Sequence, residues 1–172
     1  YVETTLQNES YNDANGSVAA IITNRDGLKI GETISKPVSL AINGKTTVKQ
    51  SVKITNPRLW SLEDPYLYRV VPMIQSAGKI IDTDKIRFGI RTVNITNKGV
   101  FLNGKYIKLK GTNNHQDHAG VGSALPDYLQ YYRISLLKKM GSNAYRTSHN
   151  APTPELLDAC DSLGMLVMDE QR

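Results

Sequence analysis

The chain of 172 residues predicts a mixed fold: an all-β immunoglobulin-like sandwich followed by the first βα units of a parallel sheet. Two observations carry the prediction. Up to about Val93, short runs rich in Val, Ile and Thr are broken by turn residues at intervals of about ten positions. From about Asn94 the order becomes strand, helix, strand, helix, strand, joined by connections of a few residues, which is how a sheet covered by helices is written.

The first half supplies its strands in "SVAAIIT" (17–23), "VKQSVKI" (48–54), "YLYRVVPMI" (66–74) and "KIRFGIRTV" (85–93). In the second of these, Val48, Val52 and Ile54 fall on one face and Lys49 and Lys53 on the other, the alternation of a sheet packed on one side. Asn15-Gly16, Asp26-Gly27 and Asn43-Gly44 offer the backbone conformations of tight turns. About seven short strands within roughly the first hundred residues favour a sandwich. The single cysteine, Cys160, excludes the disulfide of antibody domains. Trp60 and Tyr66 in "RLWSLEDPYLY" read as packing residues rather than as a platform for a sugar ring.

The second half opens with a hairpin, "VFLNGKYIKLKG", turning at Asn103-Gly104. "PDYLQYYRISLLKKMG" places Leu129, Tyr132, Leu136, Leu137 and Met140 at helical spacing and stops at Gly141. "NAYRTSH" is a short strand. "TPELLDACDSLG" is the clearest helix: Thr153 can cap it, Pro154 suits its first turn, and Gly164 ends it. Its apolar stripe is Leu156, Ala159, Cys160 and Leu163, which leaves Glu155, Asp158 and Asp161 facing solvent. "MLVMDE" is a buried strand ending in two acids. The parallel sheet can be open and doubly wound, or closed as an eight-stranded barrel. The glycines of "KGTNNHQDHAGVG" lack the spacing of a dinucleotide-binding loop, which favours the barrel.

Composition narrows the function classes. Formal net charge is +5, yet lysines and arginines are scattered, with no run longer than Lys138-Lys139, so a nucleic-acid face is not expected. No window approaches the roughly eighteen apolar residues of a membrane span, so no membrane partner is expected. The first residues, "YVETTLQNES", lack the basic and apolar regions of a signal peptide, and both ends read as cut from something longer.

In parallel α/β folds functional groups sit at the C-terminal ends of the strands. Beyond the strand expected at 107–110 come Asn113, Asn114, His115, Asp117 and His118; beyond 144–146 come Ser148, His149 and Asn150; beyond 166–168 come Asp169 and Glu170. All three histidines of the chain belong to this set. A lone loop histidine is usually only solvated, but their coincidence with two successive strand ends favours function for His115 and His149. Arg146, at a strand end, reads equally as a structural ion-pair partner, and Asp169 and Glu170 as acids that orient arginines. His115, Asp117, His118 and His149 could be combined as metal ligands. No helical pair fixes such a geometry, and no metal site is expected. Ser148 beside His149 does not form a nucleophile elbow.

The segments "NPRLWSLEDPYLYRV", "IRFGIRTV", "FLNGKYIKLKGTNNHQDH" and "MGSNAYRTSHNAPTPELLDACDSLGMLVMDE" together resemble glycoside hydrolase family 2, the family of bacterial β-galactosidases, β-glucuronidases and β-mannosidases. The most specific part is 143–170. One departure is that Asn150-Ala151-Pro152 follows the histidine where the family's common form has Tyr-Pro. The resemblance implies an immunoglobulin-like sandwich at 1–96 and, at 97–172, the incomplete start of a (β/α)8 TIM barrel.

The resemblance further implies retaining hydrolysis of terminal β-linked sugars, with a carbohydrate substrate as partner. His115 and His149 would face the sugar, Arg146 would orient the nucleophilic carboxylate, and Asn114 and Asp117 would flank the pocket. The family's two catalytic glutamates lie on later barrel strands, so the chain alone is expected to be inactive. No cofactor is expected in this chain, and a divalent or monovalent metal in a full-length parent is left open. An incomplete barrel also exposes a sheet edge, which invites self-association. Any signal peptide would lie upstream of Tyr1, and a periplasmic or secreted parent is the expectation. The competing reading is a non-catalytic sandwich that binds carbohydrate or bridges domains.

Overall fold

In the computed structural model, which describes residues 1–170, the first part of the chain forms eight strands. They are β1 (Val2–Gln7), β2 (Ala14–Thr23), β3 (Lys29–Ile34), β4 (Val38–Leu40), β5 (Lys45–Gln50), β6 (Tyr68–Ser76), β7 (Lys79–Thr83) and β8 (Ile86–Phe88). β1 and β5 pair antiparallel, from Val2 opposite Gln50 to Gln7 opposite Lys45. The larger sheet runs β3-β2-β6-β7, with β4 also on β2 and β8 also on β6. Alternation dictates what is buried: Ala20, Ile22 and Val70 pack against Val2, Val52, Ile54 and Phe88. Each fully buried Val or Ile contributes about 1.5–3 kcal/mol. This is the sandwich, and with the turn 41–44 it forms the first of two compact units, Tyr1–Pro57 with Tyr68–Phe88.

Three details differ from the sequence reading. Asn15-Gly16 is not a turn; it lies inside β2, where Asn15 pairs with Ser39 and Gly16 with Val38. The strand expected at 48–54 stops at Gln50, where its pairing with β1 ends opposite Val2, although Val52 and Ile54 still pack on the core. The run 85–93 does not continue as one strand; it ends as β8 at Phe88, and the Ile90 carbonyl accepts a hydrogen bond from the Trp60 backbone N–H at 2.9 Å.

The second unit comprises Arg58–Leu67 and the chain from Gly89 onward. It begins with an antiparallel meander, β9 (Val93–Thr96), β10 (Gly99–Leu102) and β11 (Lys105–Ile107). The β10–β11 turn has φ 51° at Asn103 and 78° at Gly104, the left-handed pair that a two-residue hairpin of this kind requires. Trp60 is the anchor here, 1 % exposed. Its indole N–H donates to the Asp161 carbonyl at 2.8 Å, and the Asn103 side-chain amide donates to the Trp60 carbonyl at 2.9 Å. The Arg91 guanidinium lies 4.7 Å from its ring centroid. Trp60, Leu62 and Leu102 form one core cluster with Leu67, Ile107 and Leu166 packed on it. Trp60 and Tyr66 are both buried, as packing residues should be. Asp161, expected in solvent, is half-buried, because it also pairs with Arg91 at 3.8 Å.

Then come β12 (Gly111–Asn114), α1 (Asp127–Lys139), β13 (Ala144–Thr147), α2 (Pro154–Leu163) and β14 (Leu166–Met168). The three strands are parallel in the order β12-β13-β14. Gly111 pairs with Ala144, and Ala144 with Leu166. The first parallel strand was expected at 107–110 and lies later, because Ile107 belongs to the hairpin and the Lys110 carbonyl instead accepts the N–H groups of Asn143 and Ala144 at 2.8 and 3.1 Å. Asn113 and Asn114 are therefore strand residues.

α2 is as the sequence reads: Thr153 accepts from the Leu156 N–H, Pro154 opens the first turn and Gly164 closes the helix in the left-handed region. α1 is rotated from its expected phase. Its buried residues are Gln130 and Ile134, while Tyr132, Leu136 and Met140 are exposed. The polar Gln130 can lie on the inner face because its side-chain oxygen accepts a hydrogen bond from Thr153 at 2.9 Å. Lys138 ties the two helices to the 58–67 segment, donating to the carbonyls of Leu62 at 2.8 Å and Gly164 at 2.6 Å. Burial lowers its pKa from the usual ammonium value, against the pull of Glu63. Among the described residues no helix is long and apolar enough to cross a membrane.

The core beneath the parallel strands joins Ile134, Tyr145, Leu156, Ala159, Cys160 and Met165. Burial pushes the Cys160 thiol up to about 12 and raises the Tyr145 hydroxyl as well. Both groups hold their protons more tightly folded than unfolded. For Cys160 the contribution is intact below the ordinary thiol value of 9.0 and is lost as pH rises toward 12. A thiolate at this depth costs on the order of 4 kcal/mol. Thermal unfolding is expected to show a falling midpoint between pH 9 and 12 that is shallower in Cys160→Val. Equal slopes in the two proteins would refute the assignment.

Candidate functional site

Of the polar groups expected at strand ends, His115, Arg146, His149 and Glu170 come together around the ends of β12, β13 and β14. Arg146 pairs with Met168 in the ladder, and Asn114 with Thr147. Continuing that register, one step past Asn114–Thr147 and two past Arg146–Met168, puts His115, Ser148 and Glu170 on one level. His149 follows Ser148 across a cis peptide bond. The His115 and His149 rings meet edge to face, with centroids 5.5 Å apart at 75°.

Glu170 is the hub. One oxygen, Oε1, accepts from Arg146 Nη2 at 3.2 Å and from His149 Nδ1 at 3.0 Å. Its backbone N–H donates to the hydroxyl of the buried Thr147 at 3.0 Å. With Nδ1 donating, the neutral His149 ring keeps Nε2 as an acceptor for a ligand hydroxyl. The side chains of Arg146 and His149 are 37 and 53 % exposed, so these pairs add only about 0–1 kcal/mol to stability. Their effect is orientation: a guanidinium and an imidazole are aimed by the same carboxylate.

The other expected residues are placed differently. Asn114 turns its amide back on its own strand, donating to the carbonyl and hydroxyl of Thr112 at 3.0 and 2.9 Å. Asp117 and His118 are exposed, and His118 closes a tight turn with Gly122. Among the described residues, Asp117 makes no hydrogen bond or ion pair with His115, His149 or Arg146. Nor do three His, Cys, Asp or Glu side chains group closely enough among the described residues to hold a metal ion.

Sequence reasoning missed Thr147, whose hydroxyl fixes the Glu170 backbone, and Arg133 of α1, whose Nη2 donates to the His115 carbonyl at 2.7 Å. Strand alternation could have pointed to Thr147; nothing local could have joined Arg133 to a residue eighteen positions earlier. Arg146 and Asn113 also line a groove of about 660 Å³ along the parallel strands, walled by Leu109, Leu157 and Val167.

A sandwich leading into parallel βα units, with polar groups gathered where the strands end, fits a β-sandwich followed by the start of a barrel domain. The chain belongs to glycosyl hydrolases family 2: the model of that family matches residues 1–91, and that of its TIM barrel domain matches residues 93–172. A beta-galactosidase of Bacteroides ovatus is 37% identical over 169 residues, covering 97% of this chain and 20% of that protein. The crystal structure of a family 2 member from Bacteroides cellulosilyticus is 36% identical, with a TM-score of 0.92 over 98% of this chain and 23% of that one. A Bacteroides uniformis beta-glucuronidase is 29% identical, with a TM-score of 0.91 over 98% of this chain and 20% of that one. The chain thus spans about a fifth of the length of the curated relatives it matches.

Proposed function

We propose that this chain supplies the substrate-positioning part of a retaining glycoside hydrolase that acts on terminal β-linked sugars. In this reading residues 1–96 are the sandwich and 97–172 begin the catalytic barrel. His115 and His149 contact the sugar hydroxyls, Arg146 orients the nucleophilic carboxylate, and Asn114 and Asp117 flank the pocket. The observation that carries it is the shared Glu170 oxygen, which aims His149 and Arg146 from adjacent strand ends. Retaining hydrolysis needs one carboxylic acid to protonate the leaving oxygen and a second, about 5 Å away, to attack the anomeric carbon. Glu170, engaged with a guanidinium and an imidazole, fits an orienting role better than either, so the two catalytic carboxylates are assigned to residues outside these 172. No cofactor is called for from this part. The relatives named beta-galactosidase and beta-glucuronidase support the substrate class.

Two measurements test the proposal. Titration with methyl β-galactoside or methyl β-glucuronide is expected to shift the imidazole resonances of His115 and His149 at millimolar concentrations, and absence of any shift with both sugars counts against it. Glu170→Ala frees both partners and is expected to weaken binding about tenfold, roughly 1.4 kcal/mol. An aryl β-glycoside should not be hydrolysed above background by the chain alone; hydrolysis at enzyme-like rates would overturn the placement of the carboxylates.

A further inference from the structure

His115 lies at the start of 115–126, an irregular stretch between β12 and α1. Its imidazole is exposed, and a loop histidine left to itself samples many rotamers. Two backbone-level contacts restrain it. The preceding Asn114 carbonyl accepts the Ser148 N–H at 3.1 Å, and the His115 carbonyl accepts Arg133 Nη2 at 2.7 Å. The second is a charge-assisted hydrogen bond, of the shorter and stronger kind.

Packing alone gives no account of an arginine at position 133. Its other terminal nitrogen, Nη1, is buried and has no hydrogen-bond partner among the described residues. A buried, unmet donor on a charged group opposes folding, and an apolar side chain of similar volume at such a place is often neutral or stabilising. The guanidinium is therefore placed for what its bonded nitrogen holds. That nitrogen holds the residue whose ring meets His149 at 5.5 Å, and His149 is in turn aimed by Glu170.

We propose that Arg133 is a positioning residue: it fixes the backbone of His115 so that the His115 ring stays against His149 and the two imidazoles present one face to a ligand. The proposal deepens the functional reading above and rests on it for the ligand, though not for the geometry. α1 thereby sets one half of the pair and β14, through Glu170, sets the other.

The 172-residue chain has three histidines, so their imidazole proton signals can be resolved. In the unaltered protein a cross-relaxation peak between the His115 and His149 rings is expected, and its absence overturns the proposal. In Arg133→Met the peak should be lost and His115 should shift toward the values of a histidine with no ring neighbour, while His118 stays in place and the unfolding midpoint does not fall. A merely structural arginine would give the reverse, a lowered midpoint with the ring contact kept, and that result overturns it. Should Arg133→Met not fold, the unaltered chain decides: slowed rotation of the Arg133 guanidinium is expected from its bond to the His115 carbonyl, and free rotation refutes the role. Where a methyl β-glycoside moves both imidazoles, Arg133→Met should lose the His115 response and keep that of His149. Because the ring contact is read without sugar, failure of sugar binding in the unaltered chain would sink the functional reading and leave the positioning role standing.

Discussion

Trp60→Ala is expected to destabilise the second unit by about 3–5 kcal/mol, the range for removing a buried aromatic ring. The ring is 1 % exposed and sits among Leu62, Leu102 and Leu166. Its removal also takes away the indole N–H that the Asp161 carbonyl accepts at 2.8 Å, and the ring that Arg91 covers. Trp60→Phe separates the two contributions: it keeps most of the apolar surface and loses the hydrogen bond, so a loss of about 1–2 kcal/mol is expected. Trp60 is the chain's one tryptophan, so unfolding has to be followed by circular dichroism rather than tryptophan fluorescence. If Trp60→Ala unfolds within 1 kcal/mol of the parent, roughly the size of an ordinary surface change, the anchoring role is wrong.

The second large effect is expected at Gly111. A Cβ there would stand inside the van der Waals shell of the Ala144 backbone carbonyl, at the pair that opens the β12–β13 ladder. Backbone cannot move aside as a side chain can, so Gly111→Val should separate the two strands and cost about 3 kcal/mol or more. Since Asn113, Asn114 and His115 follow directly on this strand, the His115–His149 ring contact should disappear with it. A Gly111→Val protein of parental stability and with the ring contact intact would contradict the register.

How much of this could be read in advance depends on whether the determinant is local. The α2 helix was legible to its ends because its cap, its first-turn proline and its closing glycine are all in the text. The hairpin at Asn103-Gly104 was legible for the same reason. α1 was misphased because its buried face includes Gln130, and whether an amide belongs inside depends on Thr153 from the next helix. β12 was placed early because Ile107 and Leu109 look like a buried strand, whereas the ladder starts where Gly111 can approach Ala144. Around the strand ends, sequence logic named His115, His149 and Arg146, which the structure brings together, and it named Glu170 as an acid that could orient an arginine. That one oxygen would serve both the arginine and a histidine, or that Arg133 would reach His115, depends on contacts between segments far apart in the chain.

The in-step pairing of the parallel strands has a broader consequence. Asn113, Arg146 and Met168 stand side by side because backbone hydrogen bonds set their spacing, about 4.8 Å from strand to strand, whatever side chains they carry. The strand ends therefore behave as a pegboard with fixed holes. Exchanging the peg at one hole alters the chemistry offered there and leaves the distances between the others as they were, so new specificities can be fitted to this edge without rebuilding what holds it.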